Sequence, residues 1–158
     1  MICLEQKQFQ EIIEHCQEEY PKEACGILAG RLGQQIKDTG RAEECESAGT
    51  QEQEGEASKV LKMVNTSESP EVCYFMDPTE QLKVFKEMRH SGIEMIGIYH
   101  SHAGSPAYPS QRDCEMAFYP EAAYVIVSLQ DFDSPVVRAF KIAEGQIEEV
   151  GIRVIGDE

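Results

Sequence analysis

Tryptophan is absent from this 158-residue chain, and cations are scarce: 14 Lys and Arg stand against 29 Asp and Glu, a net charge of −15. A field of that sign repels phosphate backbones and anionic lipid headgroups. It argues against nucleic acid as the main partner and favours a basic protein or a basic flexible tail. Acidic excess also serves solubility alone, so charge by itself names no partner. No apolar run approaches the roughly 20 residues that a membrane-spanning helix needs. Met1-Ile2-Cys3-Leu4 is too short for the apolar segment of a secretory leader and lacks a basic lead-in. A cytoplasmic setting with no membrane partner is therefore expected. Cysteines are present as Cys3, Cys16, Cys25, Cys45, Cys73 and Cys114, but none forms a Cys-x-x-Cys pair. That removes zinc ribbons and thioredoxin-type sites. Most sit among apolar neighbours, as in Ala24-Cys25-Gly26-Ile27, and are expected to be buried and reduced.

What is present suits one ordinary domain with a real core. Phe9, Ile12, Ile13 and Cys16 recur at i, i+3, i+4 and i+7, which predicts a helix over 6–19. Residues 24–29 form a short apolar run of strand length, stopped by Gly30. Between 38 and 58 the composition turns to Glu, Gln, Gly, Ser and Thr. Such a stretch buries too little to offset its ordering entropy, and a flexible acidic loop is expected there, either a substrate-gating lid or a solvated loop.

Further strands are expected at 60–64, 72–76, 93–99, 123–129 and 136–142, with a last one near 147–155. Asp77-Pro78-Thr79-Glu80 reads as a helix start, with Asp as cap, Pro at the first helical position and Glu three residues after the cap. Gly92 closes that helix. A third, short helix is expected from Pro109-Ser110 to about Phe118. Mixed elements in this order predict a three-layer α/β/α sandwich around a mixed sheet.

The chemistry concentrates in Tyr99-His100-Ser101-His102 and Ser110-Gln111-Arg112-Asp113. In an extended chain residues i and i+2 point the same way, so His100 and His102 project together from a strand end. Asp113, on the following helix, can bring a carboxylate to the same point. Two His and one carboxylate leave a fourth zinc position for water, which is a catalytic and not a closed structural pattern. Each part also has a plainer reading. A His-x-His pair occurs in many surfaces and cores, Ser110-x-x-Asp113 is a helix capping box, and Glu23 beside Pro21 is an ordinary exposed carboxylate.

Taken together, Glu23, then His100-Ser101-His102, then seven residues, then Ser110-x-x-Asp113 resembles the signature of the JAMM (MPN-plus) metalloprotease family. Pro21-Lys22-Glu23-Ala24-Cys25-Gly26 and Gly97-Ile98-Tyr99-His100 resemble its glutamate and metal strands. The resemblance implies the family's cytidine-deaminase-like fold across 1–158. It implies one Zn2+ per chain on His100, His102 and Asp113, with Glu23 as general base and Ser110 as oxyanion donor. One departure is Ala103 where many members carry Pro directly after the second His.

The resemblance is strongest to compact prokaryotic members, and the implied substrate is a ubiquitin-like sulfur-carrier protein, cut after its C-terminal glycine to release, for example, a cysteine. Competing readings are a deubiquitinase-like isopeptidase acting on conjugated proteins and a non-catalytic interaction module that keeps the fold. The acidic charge disfavours a nucleic-acid-linked relative of the RadC type. A base deaminase lacks its Pro-Cys-x-x-Cys half here, and a barrel amidohydrolase needs a much longer chain. A homodimer is left open.

Overall fold

The helical spacing of Phe9, Ile12, Ile13 and Cys16 is realised in a computed structural model that describes residues 1–33 and 54–156. β1 (Ile2–Glu5) runs into α1 (Gln6–Glu19), where Gln8 Oε1 accepts from the Glu5 N–H at 2.9 Å and closes the first turn. β2 (Cys25–Leu32), β3 (Gly55–Met63), α2 (Pro78–His90), β4 (Glu94–His102) and α3 (Gln111–Glu115) follow. β5 (Ala123–Ser128), β6 (Val136–Ala143), β7 (Gln146–Val150) and β8 (Ile152–Ile155) complete the chain.

The strands form one sheet in the order β7-β6-β5-β4-β2-β3-β1-β8. It is mixed: β4 lies parallel to β5 and antiparallel to β2. α1 places Ile12 and Cys16 in the core on one face, with Ile2, Leu28, Tyr99 and Val125. α2 places Met88, Val84 and Phe85 on the other, with Ile27, Ile98, Ile126 and Phe140. The expected α/β/α sandwich is thus observed, and β4, at the middle of the sheet, is buried along almost its whole length.

Five local expectations change. The run at 24–29 does not stop at Gly30: β2 continues to Leu32 through a register shift between Ala29 and Gly30. The final strand splits at Gly151. β7 pairs with β6 at one end of the sheet and β8 pairs with β1 at the other. One residue joins the two ends, so the sheet must curl round on itself, and the Ile2 N–H donates to the Gly151 carbonyl at 2.9 Å.

Residues 72–76 are not a strand, and a lone bridge joins Asn65 to Met76. The Asn65 side chain takes over the backbone groups a ladder would use. Its Nδ2 donates to the carbonyls of Pro70 and Cys73, and its Oδ1 accepts from the N–H groups of Ser67 and Phe75. This is the competition by which short polar side chains displace secondary structure. α3 ends at Glu115, three residues early: past it the Ala117 N–H donates to the Cys114 carbonyl, an i to i−3 bond in place of the helical i to i−4 ladder. The expected acidic loop at 38–58 lies mostly outside the described residues, but its last four residues, 55–58, belong to β3, with Ala57 in the core.

Candidate metal centre

A bulge in β4 decides which way its histidines face. Leu28 pairs with Gly97 while Ala29 pairs with Met95, so Ile96 is an extra residue. A bulge of one residue resets the alternation of the strand. Ile96 and Tyr99 consequently pack on the α1 face, and Ile98 packs on the α2 face. His100 and His102 follow Ile98 at two-residue steps and share its face. Both imidazoles are buried.

Their Nε2 atoms converge at 3.1 Å. Asp113 closes the group, with Oδ1 3.2 Å from His100 Nε2 and Oδ2 3.0 Å from His102 Nε2. The His102 Nδ1–H donates to the Pro106 carbonyl at 2.9 Å, because a carbonyl only accepts. When His102 is neutral, this hydrogen bond leaves the lone pair on Nε2, aimed at the shared point. His100 is stacked against Tyr74, with ring centroids 4.6 Å apart. His100 Nδ1 has no hydrogen-bond partner among the described residues, so the polar contacts of this ring are all made through Nε2.

Asp113 reaches the histidines through the helix start. Ser110 caps α3, its Oγ accepting from the Asp113 N–H at 3.1 Å, while Asp113 Oδ2 accepts from the Ser110 N–H at 2.9 Å. The capping-box reading and the metal reading of this motif therefore coexist in one side chain. The same carboxylate that finishes the cap meets both imidazoles.

Glu23 stands just before β2 and is 4% exposed, not the surface carboxylate its sequence neighbours suggested. Its position is set through the backbone. The Glu23 N–H donates to the Pro70 carbonyl at 2.6 Å, and the Glu23 carbonyl accepts from Asn65 Nδ2 at 2.9 Å. Next to it, the Ala24 N–H donates to Ser101 Oγ at 2.8 Å, and the Ser101 N–H donates to the Ala24 carbonyl. One ligand-competent atom from each of Glu23, His100 and His102 lies within 4.8 Å of the others. Two carboxylates thus face one imidazole pair, Asp113 in contact and Glu23 alongside.

The electrostatics follow from burial and contact. Burial pushes the Glu23 carboxyl up to about 8, with His102 opposing the shift and Asp113 adding to it. Burial alone would also raise Asp113, but hydrogen bonds from His100 and His102 hold it well below the usual carboxylate range. Complete burial lowers His100. For His102, burial is outweighed by its bonds to Asp113 and Pro106, and its pKa is raised. Two imidazole nitrogens, one firmly ionised carboxylate and a second carboxylate at the edge form a donor set that fits a divalent metal ion, whose binding would take the place of any proton on His102 Nε2.

The structure brings together His100, His102, Asp113 and Glu23, and sets Ser110 at the cap beside them. Sequence reasoning missed Asn65, Tyr74 and Ser101, which hold those groups in place. The run Asn65-Thr66-Ser67-Glu68-Ser69-Pro70 is rich in turn formers and marked a side-chain-organised loop.

The sequence pattern described as prokaryotic homologs of the JAB domain matches residues 5–143. The chain belongs to this family. It is 33% identical over 144 residues to the CysO-cysteine peptidase of Mycobacterium tuberculosis, covering 91% of this chain and 84% of that one. It is also 33% identical over 141 residues to a probable TtuB-protein conjugate cleaving protease of Thermus thermophilus, covering 89% and 74%. A solution structure of a Desulfitobacterium hafniense protein superposes with a TM-score of 0.80 at 33% identity, covering 99% of this chain and 94% of that one. Among the described residues no helix is long and apolar enough to cross a membrane. Cys3, Cys16, Cys25, Cys73 and Cys114 are free thiols; Cys45 lies outside the described residues.

Proposed function

We propose that this chain acts as a single-domain, zinc-dependent peptidase. Its proposed reaction is hydrolysis of the amide bond after the C-terminal glycine of a ubiquitin-like sulfur-carrier protein, for example releasing a C-terminal cysteine. The observation that carries the reading is the meeting of His100 Nε2, His102 Nε2 and the Asp113 carboxylate at one point, with Glu23 buried beside them. His100, His102 and Asp113 would hold one zinc ion. When bound, zinc polarises the scissile carbonyl and brings the pKa of a coordinated water to about 7.

The remaining work falls to side chains. Glu23 takes the proton of the attacking water and delivers it to the leaving amine. A carboxyl whose burial carries it toward neutrality is suited to both halves of that transfer. Ser110 Oγ accepts from the Asp113 N–H, which leaves its own hydroxyl proton free for the oxyanion. Tyr74 and the Asn65 loop cover His100 and fix Glu23, which limits the approach of bulk water. A cytoplasmic setting agrees with the free thiols. The names of the Mycobacterium and Thermus relatives, a carrier-cysteine peptidase and a conjugate-cleaving protease, support amide cleavage at a small carrier protein.

The test is intact mass of a ubiquitin-like sulfur carrier bearing Gly-Gly-Cys at its end, incubated with zinc-loaded protein and with Glu23→Gln as control. Loss of that cysteine alone, absent in the control, is expected. Cleavage of a ubiquitin-type isopeptide in its place would move the assignment to an isopeptidase. A purified protein holding less than about half an equivalent of zinc would favour the non-catalytic module.

A further inference from the structure

A cavity of about 480 Å³ lies against the segment after β3, lined among others by Thr66, Ser67, Glu68, Val72 and Phe75, and by Arg112 of α3. Its lining residues come from the two elements that also supply neighbours of the metal centre. The segment 65–75 holds the Glu23 backbone through Pro70 and Asn65 and lays Tyr74 over His100. α3 carries Asp113 directly after Arg112. The cavity thus adjoins, through Cys73 and Arg112, the chain neighbours of Tyr74 and Asp113.

Arg112 is the sole cation among the residues lining it, in a chain whose net charge is −15. Among the described residues Arg112 enters no ion pair, although Glu68 lines the same cavity. Among the described arginines, Arg138 and Arg153 are held by Glu149 and Glu54, whereas Arg31 and Arg89, like Arg112, enter no ion pair; Arg112 alone of these three lies beside the metal centre's own helix residue Asp113. An exposed guanidinium with no carboxylate partner, carried on the short α3 directly before the residue that meets the histidines, is free to take an anion.

We propose that Arg112 and this cavity form a carboxylate subsite on the leaving side of the scissile bond. It would receive the free C-terminal carboxylate of a single residue released after the carrier's glycine. The inference rests on the peptidase reading and deepens it: the enzyme would prefer to remove one C-terminal residue over cutting a bond whose leaving group continues as a chain. In the hydrolysis the amide C–N bond breaks, water supplies the new glycine carboxyl oxygen, and the leaving amine takes the proton. The leaving residue's carboxylate is unchanged and serves only as the handle that Arg112 grips. Arg112 is a specificity residue here and takes no part in proton transfer.

The experiment compares two carriers that differ at one group, Gly-Gly-Cys with a free acid and Gly-Gly-Cys amide, with the wild type and Arg112→Gln, both zinc-loaded. The wild type is expected to favour the acid in kcat/KM by about tenfold, mainly through KM, and Arg112→Gln to bring the ratio close to one. Arg112→Lys is expected to restore part of the preference, because charge is kept and the bidentate fork is lost. Equal kcat/KM for acid and amide in the wild type overturns the subsite while leaving the peptidase reading intact. So does a preference that survives in Arg112→Gln.

A second arm separates the two claims. Binding of both carriers is measured directly on Glu23→Gln and on the double variant with Arg112→Gln. If neither carrier is ever cleaved, tighter binding of the acid that depends on Arg112 supports the subsite and only the peptidase reading falls. Equal binding then overturns the subsite as well.

Discussion

The two faces of β4 between Tyr99 and His102 treat polar groups in opposite ways. On the α1 face, Tyr99 Oη pairs with His15 Nδ1 at 2.7 Å, and Ser101 Oγ accepts from the Ala24 N–H. That face is a finished structural network. Gly26 leaves no room for a Cβ against the Tyr99 ring, so the ring's seat is built into β2. On the α2 face, His100 and His102 turn their Nε2 atoms toward each other and toward Asp113, and His100 Nδ1 has no partner among the described residues. A buried imidazole is no sign of chemistry by itself: His15 is buried too and is satisfied by a tyrosine. What marks the α2 face is convergence of two imidazoles and two carboxylates on one point.

The sharpest way to break this contrast is on the α2 face. His102→Ala should lose both zinc and turnover, read by metal analysis of the purified protein beside the carrier assay. Zinc retained at one equivalent would remove His102 from the ligand set. Glu23→Gln should lower turnover by about 10²–10⁴-fold, the range for a positioned general base, while zinc content stays near one. Loss of the metal in that variant would make Glu23 a ligand in place of a base.

The same residue gives a pH test on metal-free protein. Its carboxyl sits at about 8 in the folded chain against an ordinary 4.5. Between those values the native state holds a proton that the unfolded chain has released. Its stability therefore falls as pH rises from about 4.5 to 8, by up to about 1.4 kcal/mol per pH unit for this one group. Urea unfolding at pH 5 and pH 8 should show a smaller decline in Glu23→Gln than in the wild type. An identical decline in both would show that Glu23 titrates as an ordinary carboxyl.

Ser110→Ala tests the residue that belongs to both structure and chemistry. Loss of an oxyanion donor costs about 10²–10³ in kcat, and loss of a helix cap costs about 1 kcal/mol of stability. A lower Tm with kcat unchanged would leave Ser110 as a cap only. The smallest effect is expected on the α1 face. Tyr99→Phe strands His15 Nδ1 in the core and should cost about 1–3 kcal/mol in urea unfolding, with zinc content and KM as in the wild type. A change in zinc affinity there would mean the two faces are coupled through the strand.

Much of the fold was legible because its signals are local. The 3.6-residue spacing of α1, the Asp77-Pro78 start of α2 and the apolar runs of β4 and β5 each depend on neighbours close in the chain. The misses share a cause. Residues 72–76 have strand composition but were captured by Asn65, a competitor several residues away. The stretch at 147–155 is one apolar-polar pattern, yet it serves two ends of the sheet because curvature brings those ends together at Gly151. Glu80 lies where a capping partner belongs, but its carboxylate accepts from the Val64 N–H. In each case a tertiary partner redirected a group whose local preference was correctly read.

By itself the sequence determined the chemical inventory: two histidines at a spacing that puts them on one side of a strand, a Ser-x-x-Asp that starts a helix, and a glutamate far upstream. Alternation and capping are properties of the local backbone, so these features were readable without coordinates. Only the tertiary structure decided that Glu23 is buried, because its burial comes from Pro70, Asn65 and the β2–β4 pairing. Only the tertiary structure turned the histidines to the α2 face, since the extra residue at Ile96 exists solely in the pairing of β4 with β2. That Arg112 lines the same cavity as residues of the segment after Asn65 is likewise a fact of packing. Side-chain chemistry is carried by the residue, but its pKa, its direction and its partner are set by what the rest of the chain brings to within a few ångströms of it.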